Sequence, residues 1–207
     1  MLDLDNGEYD WWGNEGIKRL VARFREILPA APRGLYITGV AGSGKTALAV
    51  ALANAYNDAV WEQRKQRYAA ASEDEQLMVF PADRAAGGAR YIDHVMAVDW
   101  MRAVNLYRLM PRERTDAENE WIARLEEASS SKLWLIDDFG AGELTPMARD
   151  FTEGVIRALY NNSALCIITS NVSLEGVAKI WNEPIRSRLI EMCVPVELTG
   201  RDRRGRK

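Results

Sequence analysis

Residues 34–46 read Gly-Leu-Tyr-Ile-Thr-Gly-Val-Ala-Gly-Ser-Gly-Lys-Thr. An apolar run, Leu35 to Thr38, ends in a glycine-rich turn that delivers a lysine and a hydroxyl, and Ala47-Leu-Ala-Val-Ala-Leu-Ala follows with the composition of a helix. The turn fits G-x-x-x-x-G-K-[ST], with Gly39, Gly44, Lys45 and Thr46 at the fixed places and the strand-loop-helix setting the motif needs. Glycines let backbone N–H groups turn inward around a polyphosphate, and the helix N-terminus adds positive potential. Gly39, Ala41, Gly42, Ser43, Gly44, Lys45, Thr46 and Ala47 are therefore the candidate cradle for a nucleoside triphosphate. Lys45 is placed to neutralise the outer phosphates, and the Thr46 hydroxyl to ligate Mg²⁺.

Outward from this stretch, the chain of 207 residues has the length of one well-buried domain. With 47% hydrophobic and 28% charged residues it reads as an ordinary globular protein, and it has no apolar run near the ~20 residues of a membrane span. The first twelve residues are acidic where a signal peptide is basic, so the cytoplasm is the expected location. Cys166 and Cys193 lie far apart in apolar runs, which predicts two core residues rather than a zinc site or a disulfide framework. The net charge of −3 argues against a uniformly basic nucleic-acid binder. The last seven residues, Arg-Asp-Arg-Arg-Gly-Arg-Lys, reverse that sign locally and read either as a phosphate grip or as a solvated end.

The chain divides into a short N-terminal segment (1–33), a nucleotide-binding domain (34–199) and the basic tail (200–207). In the first, Ile17, Leu20, Val21, Phe24, Ile27 and Leu28 recur at helical spacing behind Asn14, a candidate cap, and Pro29 ends the run. Trp11 and Trp12 precede it, as core caps or as a hook for adenine or a partner. Residues 62–90 look like an insertion, helical first and loose later. A strand is expected over 91–98, a helix capped by Asp99 through Leu109, and a second helix over 116–128 before the serines at 129–131.

Lys132-Leu-Trp-Leu-Ile-Asp-Asp-Phe-Gly140 is an apolar strand ending in paired carboxylates. Opposite the glycine-rich loop, Asp137 is the candidate metal ligand with Thr46, and Asp138 the candidate group to orient an attacking water. A helix over 146–160 leads to the strand Ala164-Leu-Cys-Ile-Ile, ending in Thr169, Ser170 and Asn171. Helices at 173–181 and from 182 precede a last strand, 194–198. Strands that are nearly all apolar and alternate with helices predict a parallel sheet covered on both faces. Ligands of such sheets sit at the carboxyl ends of the strands, where the loop, Asp137, Asp138 and Asn171 all fall.

In this order of parts the chain resembles the AAA+ ATPases, in particular the clade of DnaC-type helicase loaders and IstB-type ATPases of transposons. The resemblance is carried by residues 39–46 (GVAGSGKT), 133–140 (LWLIDDFG), 166–171 (CIITSN), 185–189 (IRSRL) and 198–204 (LTGRDRR). It implies an α/β P-loop NTPase with a three-layer αβα architecture and a parallel five-stranded sheet. It also implies that Asn171 senses the γ-phosphate and that Arg188, with Arg186 as its neighbouring competitor, is an arginine finger offered to the next subunit. Nineteen residues follow Arg188, so the C-terminal helical lid of many AAA+ proteins is expected to be absent. The usual glutamate at position 138 is an aspartate, which implies slow turnover. The clade places helical material between its second and third strands for DNA. Here that is 99–131, with Arg102, Tyr107, Arg108, Arg112 and Arg114 as candidate contacts to single-stranded DNA, or as a solvated helix face.

The function these readings imply is a slow, assembly-dependent ATPase that uses ATP and Mg²⁺, with Lys45, Asp138, Asn171 and Arg188 as its catalytic set. It would form a homo-oligomer through the nucleotide, bind single-stranded DNA and load a replicative helicase. The alternatives are an IstB-like helper of a transposase and a nucleotide-gated scaffold in which hydrolysis is incidental. Fewer than forty residues precede Gly39, where loaders normally carry a helicase-binding domain, so the choice between helicase and transposase stays open.

Overall fold

Five short apolar runs pair side by side to make a sheet whose faces are both covered. The computed structural model describes residues 34–79, 95–128 and 132–198. The expectations for residues 1–33, for 80–94, for the serine connector and for the basic tail lie outside them.

The glycine-rich turn separates strand β1 (Gly34–Gly39) from helix α1 (Lys45–Ala70). Helix α2 (Glu73–Val79) follows. Strand β2 (Val95–Asp99) leads into α3 (Trp100–Arg108), a 3₁₀ turn (Pro111–Glu113) and α4 (Asp116–Glu127). Next come β3 (Leu133–Phe139), α5 (Pro146–Asn161) and β4 (Cys166–Ser170). The helices α6 (Leu174–Ile180) and α7 (Glu183–Met192) run into β5 (Cys193–Leu198). The strands order as β2-β3-β4-β1-β5, every pair parallel.

Alternation along each strand divides the side chains between two layers. Leu35, Ile37, Leu133, Leu135 and Ile167 face Leu48, Ala49, Leu52 and Ala53 of α1. Tyr36, Trp134, Ile136, Cys166 and Ile168 face the other way, into a larger core shared with α3, α4, α5 and α7. This is the three-layer αβα arrangement. Within the larger core the Tyr36 hydroxyl donates to Val172 O at 2.8 Å, and burial pushes its pKa up to about 12. Cys166 and Cys193 are buried free thiols with their sulfurs 3.6 Å apart, core residues as expected.

Caps set most of the helix starts. Asp99 Oδ1 accepts from Arg102 N at 3.0 Å, as its position predicts. Thr115 and Glu118 form a reciprocal box at α4, Thr145 caps α5 ahead of Pro146, and Asn182 caps α7 ahead of Pro184. Residues 62–70 are helical, as expected, but one boundary is corrected: they continue α1 without a break and do not follow it. The stretch Glu62 to Ala70 consists of helix formers with no glycine or proline, and nothing stops α1 until Ser72 opens a new helix by exchanging hydrogen bonds with Glu75. At 26 residues α1 is about 39 Å long. The seven residues of β3 span only about 23 Å, so the last, mostly exposed turns of α1 run past the sheet.

Candidate nucleotide site

At the carboxyl edge of the sheet the chain leaves β1 through a loop that only glycine accommodates at two places. Gly42 and Gly44 have φ of 74° and 96°, a region that costs an L-residue about 1–2 kcal/mol. Gly44 is also the N-cap of α1, where no side chain caps the helix and no acidic residue occupies the first turn. A helix start of this kind is arranged to receive an anion.

Lys45 is only 6% exposed, and its ammonium donates to Gly39 O at 2.9 Å and to Val40 O at 3.0 Å. The cation is thus folded across the inside of the loop. One residue on, the Thr46 hydroxyl donates to Asp137 Oδ1 at 2.9 Å, linking the loop to β3 although β4 lies between β1 and β3 in the sheet. From this pair a cleft of about 950 Å³ opens between α1, β2, α3 and α4, with Asn54, Asp99, Arg102 and Trp121 in its lining.

Thr169, fully buried on β4, completes the cluster. Its hydroxyl donates to Asp137 Oδ1 at 2.6 Å and accepts from the Asp138 N–H at 2.9 Å. A register shift between β3 and β4 at Ile136/Phe139, together with a φ of 55° at Asp138, turns the second carboxylate out of the ladder to an exposed position. The bulge explains how adjacent aspartates, whose side chains would alternate in a regular strand, both serve one sheet edge. Thr169 was legible in sequence only as a hydroxyl in an apolar strand. Its role became visible with the strand order, which sets it beside Asp137. Thr169→Val is expected to lower ATP turnover roughly 10- to 100-fold, the usual cost of losing a group that orients a metal ligand. Steady-state kinetics check this, and a loss below threefold would remove Thr169 from the site.

The other sequence candidates fall as follows. Asn171 is the first residue beyond β4, exposed at the same edge, and makes no hydrogen bond to Asp137 or Asp138 among the described residues. Arg186 is committed within its own helix to Glu183 at 2.5 Å. Arg188, half-buried on α7, has a buried Nη1 without a hydrogen-bond partner and forms no ion pair among the described residues.

Two of the four candidate arginines between β2 and β3 are occupied within the fold. Arg114 donates to Leu109 O and Tyr107 O, closing the C-terminal end of α3, and lies 6.0 Å over the Tyr107 ring. Arg108 ties α3 to Glu143 O and Thr145 Oγ1, and Tyr107 stacks on Phe151 at 4.3 Å. These three residues hold the fold together, which leaves Arg102 and Arg112 as the exposed cations of the original five.

The donors fit a magnesium nucleotide. Thr46 Oγ1 and the Asp137 carboxylate offer adjacent hard oxygens, beside a buried ammonium and an uncapped helix start.

No protein-family model and no curated protein matches the sequence. Solved structures do match the fold. The DnaC helicase loader is similar over 90% of this chain and 92% of its own, with a TM-score of 0.61 and 20% identity. DnaI is similar over 90% of this chain and 87% of its own, with a TM-score of 0.60 and 18% identity. The replication initiator DnaA, bound to AMPPCP and single-stranded DNA, is similar over 94% of this chain and 49% of its own, with a TM-score of 0.53 and 16% identity. The chain accordingly shares the α/β fold of the DnaC helicase loader, of DnaI and of DnaA, with its glycine-rich loop at the carboxyl edge of a parallel five-stranded sheet.

Proposed function

We propose that the chain is an ATP-dependent AAA+ module that assembles through its nucleotide, engages single-stranded DNA and loads a replicative helicase in the cytoplasm. The observation that carries this reading is the hydrogen-bonded chain Thr46–Asp137–Thr169, which joins the glycine-rich loop to the carboxylate pair. Support comes from the fold it shares with the DnaC helicase loader and with DnaA, which has been seen bound to AMPPCP and single-stranded DNA.

A bound magnesium nucleotide supplies the transferable phosphoryl group and a divalent charge against its oxygens. Lys45 would pass its ammonium from the loop carbonyls to the outer phosphates, and Thr46 and Asp137 would hold the metal. Asp138 would orient the attacking water, and Asn171, just beyond the end of the next strand, would sense the γ-phosphate. Arg188 stabilises the phosphoryl charge in the neighbouring subunit, a contribution of roughly 10³ to 10⁵ in rate. The engagement of Arg186 with Glu183 favours Arg188 for this role.

Mixing tests the shared site. Asp138→Asn and Arg188→Ala chains are each expected to be inactive, and together to recover turnover because one mixed interface pairs an intact site with an intact finger. Absence of recovery sinks the trans-acting arginine. Full helicase loading with AMPPCP alone would favour the nucleotide-gated scaffold.

A further inference from the structure

We propose that Trp181 is the joint through which the Asp137–Asp138 turn sets the position of α7, and with it Arg188. The proposal rests on the shared-site reading for its consequence, but its structural basis is independent of that reading. Phe139, the residue after Asp138, stacks on the Trp181 indole with centroids 5.1 Å apart and 27° between the rings. Gly140, next along the turn, has a φ of 83°, and a Cβ there would stand 2.5 Å from Trp181 Cη2. The indole therefore lies directly on the turn's backbone, and a shift of Asp138 that moves Phe139 and Gly140 displaces it.

On its other side Trp181 is the hinge of the α6–α7 corner. Its N–H closes α6 onto Val177 O, its carbonyl accepts from Arg149 Nη1 of α5 at 3.3 Å, and the next residue, Asn182, caps α7. The far end of α7 is pinned separately, by the Tyr160 hydroxyl donating to Glu191 at 2.6 Å. Arg188 sits between the two attachments on a helix of ten residues, whose opposite face, Ile185, Leu189 and Met192, is seated in the core. Trp181 is 7% exposed, and its indole N–H is buried without a hydrogen-bond partner among the described residues. Such an orphan donor costs stability that phenylalanine would not incur. The contact that carries the coupling is thus the ring stack on Phe139, which Trp181→Phe is expected to preserve, whereas Gly140 meets the outer edge of the indole, Cη2, which phenylalanine lacks.

The experiment reads hydrogen exchange of the 183–192 amides in the full chain, at a dilution where it is monomeric, with and without Mg²⁺-AMPPCP. In the wild type the analogue is expected to change exchange in α7 by about fivefold or more, the low end of ordinary coupling between sites. Trp181→Leu, which keeps apolar volume but loses the flat ring, is expected to abolish that response while leaving protection of residues 39–46 intact. Trp181→Phe is expected to restore it. A wild-type α7 that ignores the analogue, or a Trp181→Leu chain that responds like wild type, overturns the proposal, and the first of these results needs no variant. Mixing adds an asymmetry that a merely structural role does not produce. Trp181→Leu should recover turnover with Asp138→Asn, which lends it a sound finger, but not with Arg188→Ala. Equal recovery with both overturns the joint. Failure of the Asp138→Asn and Arg188→Ala control instead condemns the shared site, and the exchange measurement then decides the joint by itself.

Discussion

Replacing Lys45 with methionine is expected to weaken nucleotide binding at least about 100-fold, or about 2.7 kcal/mol, and to remove ATP turnover, while leaving the nucleotide-free fold within about 1 kcal/mol of wild type. Two terms oppose one another in the free chain. The ammonium makes charge-assisted hydrogen bonds to Gly39 O and Val40 O, each worth about 1.5–3 kcal/mol. It does so at 6% exposure, where an ion forgoes several kcal/mol of hydration. The terms nearly cancel, and methionine keeps the stem's packing. With nucleotide present the balance changes, because polyphosphate returns the lost hydration as ionic attraction and methionine cannot. Thermal melting with and without AMPPCP checks both halves. A Lys45→Met chain stabilised by the analogue as much as wild type would show that the loop is not the phosphate site.

The largest effect on the fold itself is expected at Gly34, far from the chemistry. Gly34 opens β1 in register with Cys193 of β5, and the sulfurs of Cys166 and Cys193 meet beside it. A Cβ at this position would stand 1.9 Å from Cys166 O and 2.8 Å from Cys166 Sγ. The nearest obstacle is backbone in the central strand, so no rotamer change relieves it, and β1 would have to part from β4. Gly34→Ala is therefore expected to cost at least about 3 kcal/mol, the upper range for overpacking. Against a total stability of roughly 5–15 kcal/mol that is a severe loss. Urea unfolding measures it, and a cost below 1 kcal/mol would mean that the strands separate easily there.

These two positions differ in how far sequence reading reached them. Lys45 and Thr46 belong to a local motif whose chemistry is set by residue type and spacing, and the structure puts them where that spacing implies. Asp137 was legible as a carboxylate ending an apolar strand, because charge at a strand terminus stands out. Gly34 carried no such signal. A glycine at the head of a strand has many explanations, and its own became visible only once β4 and β5 stood on either side of β1.

The same division applies to the arginines. Arg102, Arg108, Arg112 and Arg114 are alike in a sequence, yet Arg108 and Arg114 spend their donors on backbone carbonyls and Arg102 and Arg112 stay exposed. For Arg108 that outcome depends on where α3 ends relative to the loop before α5, a long-range fact, whereas Arg114 folds back onto the end of α3 just before it. Exposed Arg102 and Arg112 are accordingly the positions at which the proposed contact to DNA is testable apart from stability.

By itself the sequence determined the glycine-rich loop, the alternation of strands and helices, and the sheet edge on which the candidate site residues fall, because each follows from short-range periodicity and residue chemistry. The tertiary structure decided that Thr169 bridges the two aspartates, that Trp181 rests on the turn after them, and that Tyr107 and Arg108 serve the fold. Those contacts join residues 31 to 42 positions apart for Thr169 and Trp181, and 35 for Arg108. Which partners meet over such separations is settled by strand order and helix packing, which no local pattern encodes.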